Sequence, residues 1–122
     1  MQFARLEIAG NLTANPCATF GGAPTRTELR IASTPRHQTS DGTWADGQSA
    51  FVSVVAFGPL AENIIESVQS GTAVRVSAKA RTSEWVDDTT GEKRSRLEFV
   101  VSEFAIDLAR QTANVTKVRP SA

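Results

Sequence analysis

The sequence is poor in the residues on which most catalytic and metal sites depend. Cys17 is the only cysteine and His37 the only histidine among the 122 residues. A single cysteine excludes an intramolecular disulfide and a cysteine-based zinc cage. The sequence also has no histidine pair for a metal and no glycine-rich phosphate loop with its lysine. These shortages argue against an enzyme, and we expect no cofactor and no metal site.

Long apolar runs and a secretory leader are also missing. The segment from Met1 to Arg5 lacks the charged lead and apolar run of a signal sequence. No stretch approaches the roughly 18 apolar residues of a membrane span. Together with the single cysteine, this predicts a cytoplasmic protein that makes no contact with a membrane.

Charge of one sign is not in excess, because 13 basic and 13 acidic residues cancel. The distribution is uneven, however. Four acidic and no basic residues lie between His37 and Ser70, whereas six basic and four acidic residues lie between Arg75 and Arg96. The sequence therefore permits a basic strand face opposite an acidic helix side, although charge runs are usually solvated faces.

An apolar period of two runs through the first half of the chain and predicts strands. The first alternation places Ala4, Leu6, Ile8 and Leu12 on one parity and ends near Asn15-Pro16 and the Gly21-Gly22 turn. The second runs from Thr25 to Ile31, and a polar loop follows from about Pro35 to Gln48. The apolar stretch Phe51 to Phe57 is typical of a strand covered on both faces.

The period then changes to that of a helix of about 10 residues, which begins at Gly58-Pro59 and is closed by Gly71 as its C-terminal cap. Strand alternation returns from Val74 to Ala80, and Asp87 to Gly91 forms a hairpin loop before a last apolar strand. Five strands with one helix between the third and fourth predict a mainly β protein, the five-stranded Greek-key OB-fold barrel. The alternative is another small mixed β-barrel with one helix. We expect a domain over residues 1–107 and a short, basic, mobile tail over 108–122.

The segment from Val74 to Trp85 is the most informative for function. Its even positions are apolar from Val74 to Ala80, so its odd positions should point outward. These are Arg75, Ser77, Lys79, Arg81, Ser83 and Trp85. Cations that pair with phosphates and an indole on which a base stacks are what single-stranded nucleic acid requires. The alternative is a solvated strand face with the tryptophan folded back over the hairpin.

The remaining aromatic residues leave several interpretations open. Phe51 and Phe57 share a parity and are either stacking platforms or core, and the valine-rich strand favours core. Trp44 stands in the polar loop, where it stacks on a base, covers the barrel or meets another subunit. His37 is by default an uninvolved surface residue.

With these residues in hand, the chain resembles the bacterial single-stranded DNA-binding protein family from about Leu6 to Phe104. The landmarks are Gly10-Asn11-Leu12 with Pro16, Ile31-Ala32-Ser33, Phe51 to Gly58 leading into Leu60 to Asn63, Gly71, Val74 to Val76, Arg81 to Trp85, and Gly91. The resemblance implies an OB-fold, usually a homotetramer, that wraps DNA around basic and aromatic surfaces. It implies stacking by Phe51, Phe57 and Trp85, and it places Arg75, Lys79 and Arg81 beside the DNA. Trp44 falls where actinobacterial relatives often have tryptophan.

The expected function is sequence-independent binding and protection of single-stranded DNA in replication, repair or recombination. Phosphate contacts would come from Arg75, Lys79, Arg81 and a Lys93, Arg94, Arg96 cluster. His37 departs from the family, which often has tryptophan there, so that stacking contact is weaker. Members of the family often end in an acidic tip that recruits enzymes, whereas this chain ends in Arg119-Pro120-Ser121-Ala122. We therefore expect no recruitment of enzymes by the tail. The expected origin is a paralogue, a phage or plasmid version, or a truncated chain. The alternative function is an OB-fold protein-interaction module of the replication machinery.

Overall fold

Residues 4–19 and 24–118 are described by the computed structural model, and this part of the chain contains seven strands and one helix. In chain order the elements are β1 Arg5–Leu12, β2 Arg26–Ser33, β3 Arg36–Gln38, β4 Trp44–Asp46, β5 Ala50–Phe57, α1 Gly58–Ser67, β6 Ala73–Val86 and β7 Lys93–Ile106. The predicted Gly21-Gly22 turn and the last residues of the predicted tail, 119–122, lie outside the described residues. The division of the chain after residue 107 and the mobility of the tail stay predictions.

Five of the strands form one curved sheet in the order β1-β2-β5-β7-β6, which closes because β6 also pairs with β1. Four of these pairings are antiparallel, whereas β5 and β7 meet in parallel through a single registered pair, Val55 with Val100. We call this junction the β5–β7 seam. Five barrel strands with α1 between the third and the fourth confirm the predicted OB-fold order, and the thin seam makes the barrel only partly closed.

The core fills the inside of the barrel and extends under α1. Alternation in β2 produces it directly, since Thr27, Leu29 and Ile31 are buried while Glu28 and Arg30 between them are exposed. Buried aliphatic residues from the other elements complete the cluster: Leu12, Val54, Ala56, Ala61, Ile64, Val68, Val74, Val76, Ala78 and Val101. The buried Thr27 hydroxyl donates a 2.9 Å hydrogen bond to the Cys17 carbonyl oxygen, so its polar group is satisfied.

Helix α1 begins where the sequence predicts. Gly58 has a φ of +68°, which a glycine adopts without strain, and a proline follows in the first turn. The length of 10 residues is also as expected. The predicted cap was wrong, because the helix ends at Ser67 with extended Val68 as its C-cap. Gly71, with a φ of +89°, instead turns the chain into β6 and donates its N–H to the Leu12 carbonyl oxygen at 2.8 Å.

Two further expectations need correction. The polar loop from Pro35 to Gln48 contains the two-stranded sheet of β3 and β4, which turns at Asp41 and Gly42. The Asp41 carboxylate stabilises this turn by accepting hydrogen bonds from the Thr43 N–H (3.1 Å) and hydroxyl (2.7 Å). Strand β5 is buried on both faces only over residues 54–56, beside the seam.

Candidate nucleic-acid interface

The outward side of β6 carries the predicted row of polar residues. Val74, Val76 and Ala78 are buried, so alternate positions point away from the core as expected. Arg75, Lys79, Arg81 and Trp85 are exposed, and the Trp85 side chain is 46% exposed at the barrel's far end. A partly exposed indole at the end of a cationic strand is suited to stacking on a base.

The register of β7 decides which of its side chains join this row. Ser77 pairs with Glu103 and Ala78 with Val101, so the irregularity leaves Ser102 as the extra residue of a bulge. Beyond the bulge, Glu98 lies opposite Arg81, Arg96 opposite Ser83, and Arg94 opposite Trp85. These three β7 side chains therefore share the outward side with their partners.

The predicted cluster of Lys93, Arg94 and Arg96 is split by this register. Lys93 lies opposite Val86, one position out of phase with Arg94, and so points to the other face of the hairpin. Arg94 and Arg96 stay together beside Trp85. The three cations were grouped by their proximity along the chain, without applying to them the alternation of strand residues.

Both phenylalanines of β5 lie outside the core, each with arginine against its ring. Phe51 is 55% exposed, and the Arg30 guanidinium carbon is 4.7 Å from its ring centroid. Phe57 is half-buried, with the guanidinium carbons of Arg81 and Arg26 at 5.2 Å and 6.0 Å from its centroid. The preference of the valine-rich pattern for a core position is thus wrong for Phe51, and Phe57 stands at the rim. We call the outward side of β2, β5, β6 and β7 the outer face; it carries Arg26, Arg30, Phe51, Phe57, Arg81, Trp85, Arg94, Arg96 and Glu98.

A carboxylate holds three of these arginines. Glu98 Oε1 lies 3.0 Å from Arg96 Nη2 and 3.9 Å from Arg26 Nη2. Glu98 Oε2 accepts hydrogen bonds from Arg81 Nη2 at 3.1 Å and Arg81 Nε at 3.3 Å. We call these four residues the Glu98 cluster. Hydrogen bonds from Arg96, and secondarily from Arg81, hold the pKa of Glu98 below its usual value against the opposing effect of its burial.

Two further arginines of the hairpin, Arg75 and Arg94, also have acidic partners. Arg75 Nε lies 3.8 Å from Asp107 Oδ2, and Arg94 Nε lies 3.3 Å from Asp87 Oδ2. These arginines are half or more exposed, so the ion pairs are weak and solvent-screened. Acidic partners therefore reduce the positive charge of these two arginines without cancelling the excess of arginine on the outer face.

Trp44 and His37 lie in the small sheet of β3 and β4, which connects β2 to β5. Trp44 is 61% exposed and pairs with Gln38, whereas His37 pairs with Ala45. Neighbouring positions of a strand point to opposite sides, so these two rings lie on different faces of the hairpin. The structure does not bring them together.

Three residues of the outer face were missed at the level of sequence: Arg26, Arg30 and Glu98. The alternation of β2 already places Arg26 and Arg30 outward, and this signal was sufficient to include them. Glu98 carries no local signal. In residues 4–19 and 24–118 no cluster of histidine, cysteine or carboxylate side chains could hold a metal ion. The described part of the chain also has no helix that is both long and apolar enough to cross a membrane.

Comparison with known proteins identifies close likenesses. Residues 3–107 match the model of the single-strand binding protein family. A single-stranded DNA-binding protein of Mycobacterium tuberculosis is 35% identical over 119 residues, which cover 95% of this chain and 71% of the relative. Single-stranded DNA-binding protein 2 of Streptomyces coelicolor is 36% identical over 117 residues, covering 92% of this chain and 57% of the relative.

Solved structures agree on the fold. The crystal structure of a small single-stranded DNA-binding protein from Streptomyces coelicolor superposes with a TM-score of 0.69 at 25% identity, covering 90% of this chain and 99% of that chain. The yeast mitochondrial protein Rim1 superposes with a TM-score of 0.62 at 24% identity, covering 87% of this chain and 96% of that chain.

Proposed function

Since the chain belongs to the single-strand binding protein family, in an actinobacterial form, we propose that it binds single-stranded DNA through its outer face without sequence preference. The observation that carries the proposal is the alternation of aromatic rings and arginines on that face, with guanidinium groups over both phenylalanines. Rings stack on any base, and arginines pair with any phosphate, so the surface needs no particular sequence.

The residues divide into two roles. Trp85, Phe51 and Phe57 stack on bases. Trp44 extends the stacking surface onto one face of the β3–β4 hairpin, and His37 offers a smaller ring on its other face. Phosphates pair with Arg75, Lys79, Arg81, Lys93, Arg94 and Arg96. Arg26 and Arg30 are additions from the structure, since both lie on the outer face beside a phenylalanine. Lys93 points away from this row and contributes least.

The biological role we propose is protection of unpaired DNA in replication, repair or recombination, in the cytoplasm and without a reaction or a cofactor. We also propose a homotetramer, which would cover apolar side chains that one chain leaves exposed, such as Leu97 at 59% and Leu108 at 62%. Light scattering coupled to size-exclusion chromatography tests the assembly, and a monomer mass would overturn it. The alternative of a protein-interaction module is not favoured by the family match.

Titration with oligo-dT, followed by tryptophan fluorescence at several salt concentrations, tests the function. We expect quenching at stoichiometric DNA, because both tryptophans are exposed. A site that neutralises about four phosphates should show a log–log salt slope near −3, from roughly −0.7 per phosphate on single strands. Absence of quenching together with absence of retained DNA at low salt would leave only a protein-interaction role.

A further inference from the structure

The Glu98 cluster has the form of an occupied anion site. Both oxygens of the Glu98 carboxylate are engaged, one by Arg81 and the other by Arg96 and Arg26. Arginine presents the same fork of donors to a carboxylate and to a phosphate. The carboxylate therefore stands where a phosphate would have to pair with these arginines.

We propose that Glu98 is an internal competitor for DNA phosphate, which lowers the affinity of the outer face by holding Arg81 and Arg96 until a backbone phosphate displaces it. This inference rests on the proposed function and adds to it a residue that tunes affinity without contacting DNA. Glu98 is thus a positioning residue rather than a contact residue.

The exposure of the partners makes the exchange feasible. The Arg81 and Arg96 side chains are 53% and 55% exposed, whereas the Glu98 side chain is only 10% exposed. A phosphate that approaches from solvent meets the arginines before it meets the carboxylate. A groove of about 230 Å³ beside the seam, which Arg26, Arg96 and Glu98 help to line, opens at the same place.

Charge favours an incoming anion even with Glu98 in place. The cluster holds three guanidinium groups against one carboxylate, and Glu28, 4.0 Å from Arg26, adds a second acidic group at its edge. A net positive charge remains, so phosphate is attracted, but less strongly than it would be by three unopposed arginines.

Stacking and phosphate pairing are coupled through the same side chains. Arg81 and Arg26 lie over the Phe57 ring while they contact Glu98. A base that stacks on Phe57 must move a guanidinium group off the ring, which also draws that group away from the carboxylate. The competing carboxylate therefore affects both base stacking and phosphate pairing.

Replacing the carboxylate with an amide tests the proposal. Glu98→Gln keeps the shape and an acceptor oxygen but removes the charge. With fluorescein-labelled oligo-dT, we expect Kd to fall by about 3- to 10-fold at fixed salt, the scale set by releasing two exposed ion pairs. The salt slope should steepen by about 0.7, equivalent to one more neutralised phosphate. A purely structural role would not move the slope.

Glu66→Gln is the matched control, because it makes the same change of charge at an exposed position of α1. Its affinity and slope should equal those of the unmodified protein. If Glu98→Gln binds no more tightly than the unmodified protein, or if Glu66→Gln gains as much, the proposal is overturned while the proposed function stands. If the unmodified protein does not bind oligo-dT at low salt, both fail.

A second variant protects the test against a folding defect. Arg96→Ala should reduce affinity by a larger factor in the Glu98→Gln background than in the unmodified background, because Glu98 no longer neutralises Arg96. Equal losses in the two backgrounds would contradict competition. Thermal unfolding of each variant establishes that the compared proteins are folded.

Discussion

Replacing Trp85 with alanine should cost more binding free energy than replacing Phe57. Stacking of a base on an aromatic side chain contributes about 1–3 kcal/mol. Within residues 4–19 and 24–118, no arginine or lysine side chain lies over the Trp85 ring, whereas Arg81 and Arg26 lie over Phe57. A base that stacks on one side of the Phe57 ring must displace one of these cation–π contacts, each of which contributes about 0.5–1 kcal/mol at exposed sites. The net gain at Phe57 is then about 0.5–2 kcal/mol.

These values convert to affinities that a titration can separate. Trp85→Ala should raise Kd for oligo-dT about 5- to 150-fold, and Phe57→Ala about 2- to 30-fold. Fluorescence anisotropy of labelled DNA is the suitable assay, because the first substitution removes an intrinsic fluorophore. Thr82→Ala is the control, since Thr82 is exposed on β6 but one position out of phase with Arg81.

Two results would refute the reasoning in different ways. A larger loss for Phe57→Ala than for Trp85→Ala would show that the arginines over Phe57 assist the base rather than compete with it. Unchanged affinity of Trp85→Ala would remove Trp85 from the interface. Each variant must keep the thermal midpoint of the parent within a few degrees for the comparison to hold.

Three further outcomes follow from the fold. A methyl group at Gly10 would overlap a backbone carbonyl of β2 and lie 2.9 Å from Ile31 Cγ2. Gly10→Ala should therefore lower the free energy of unfolding, measured by urea titration, by about 1–3 kcal/mol. An unchanged urea midpoint would show that β1 can shift to make room for the methyl group. Hydrogen bonds from Thr39 and then Thr43 lower the pKa of Asp41 from 3.8 to about 2, so its stabilisation is complete above pH 3.8 and is lost as the pH falls through about 2. Carbon NMR titration of the carboxyl group checks this, and a midpoint near 3.8 would contradict it. In a hydrogen-exchange experiment, the β5 amides that point to the seam should exchange faster than the β5 amides that are hydrogen-bonded to β2. Equal protection of the two sets would mean that the seam is closed more firmly than its one registered pair indicates.

Local patterns predicted the elements well because burial on one side of a strand leaves a period of two. The alternation through Val74, Val76 and Ala78 gave the orientation of Arg81 and Trp85 correctly, and glycine with proline located the start of α1. These signals need only neighbouring residues. The contacts of these residues with DNA remain a prediction.

Longer-range features could not be predicted in this way. Glu98 and Arg81 are 17 residues apart, and their pairing depends on the register of β7 beyond the Ser102 bulge. The separation of Lys93 from Arg94, by contrast, follows from the alternation of neighbouring strand residues and could have been predicted locally. The apolar pattern alone favoured a core position for Phe51. When both sides of a strand carry similar apolar residues, the pattern does not show to which side a given residue points.

The thin seam also has a consequence for how the protein folds. β6 and β7 form one hairpin across a short loop, and β2 and β5 are joined through the small β3–β4 sheet, so each pair can begin from contacts that are near in sequence. The seam instead joins residues 55 and 100, a loop closure that is entropically costly. Phe51 and Phe57 belong to the β2–β5 pair and Trp85 to the β6–β7 hairpin, and the Glu98 cluster spans both units. The complete outer face thus exists only after the two units have docked, and a ligand that bridges them stabilises the docked state by mass action.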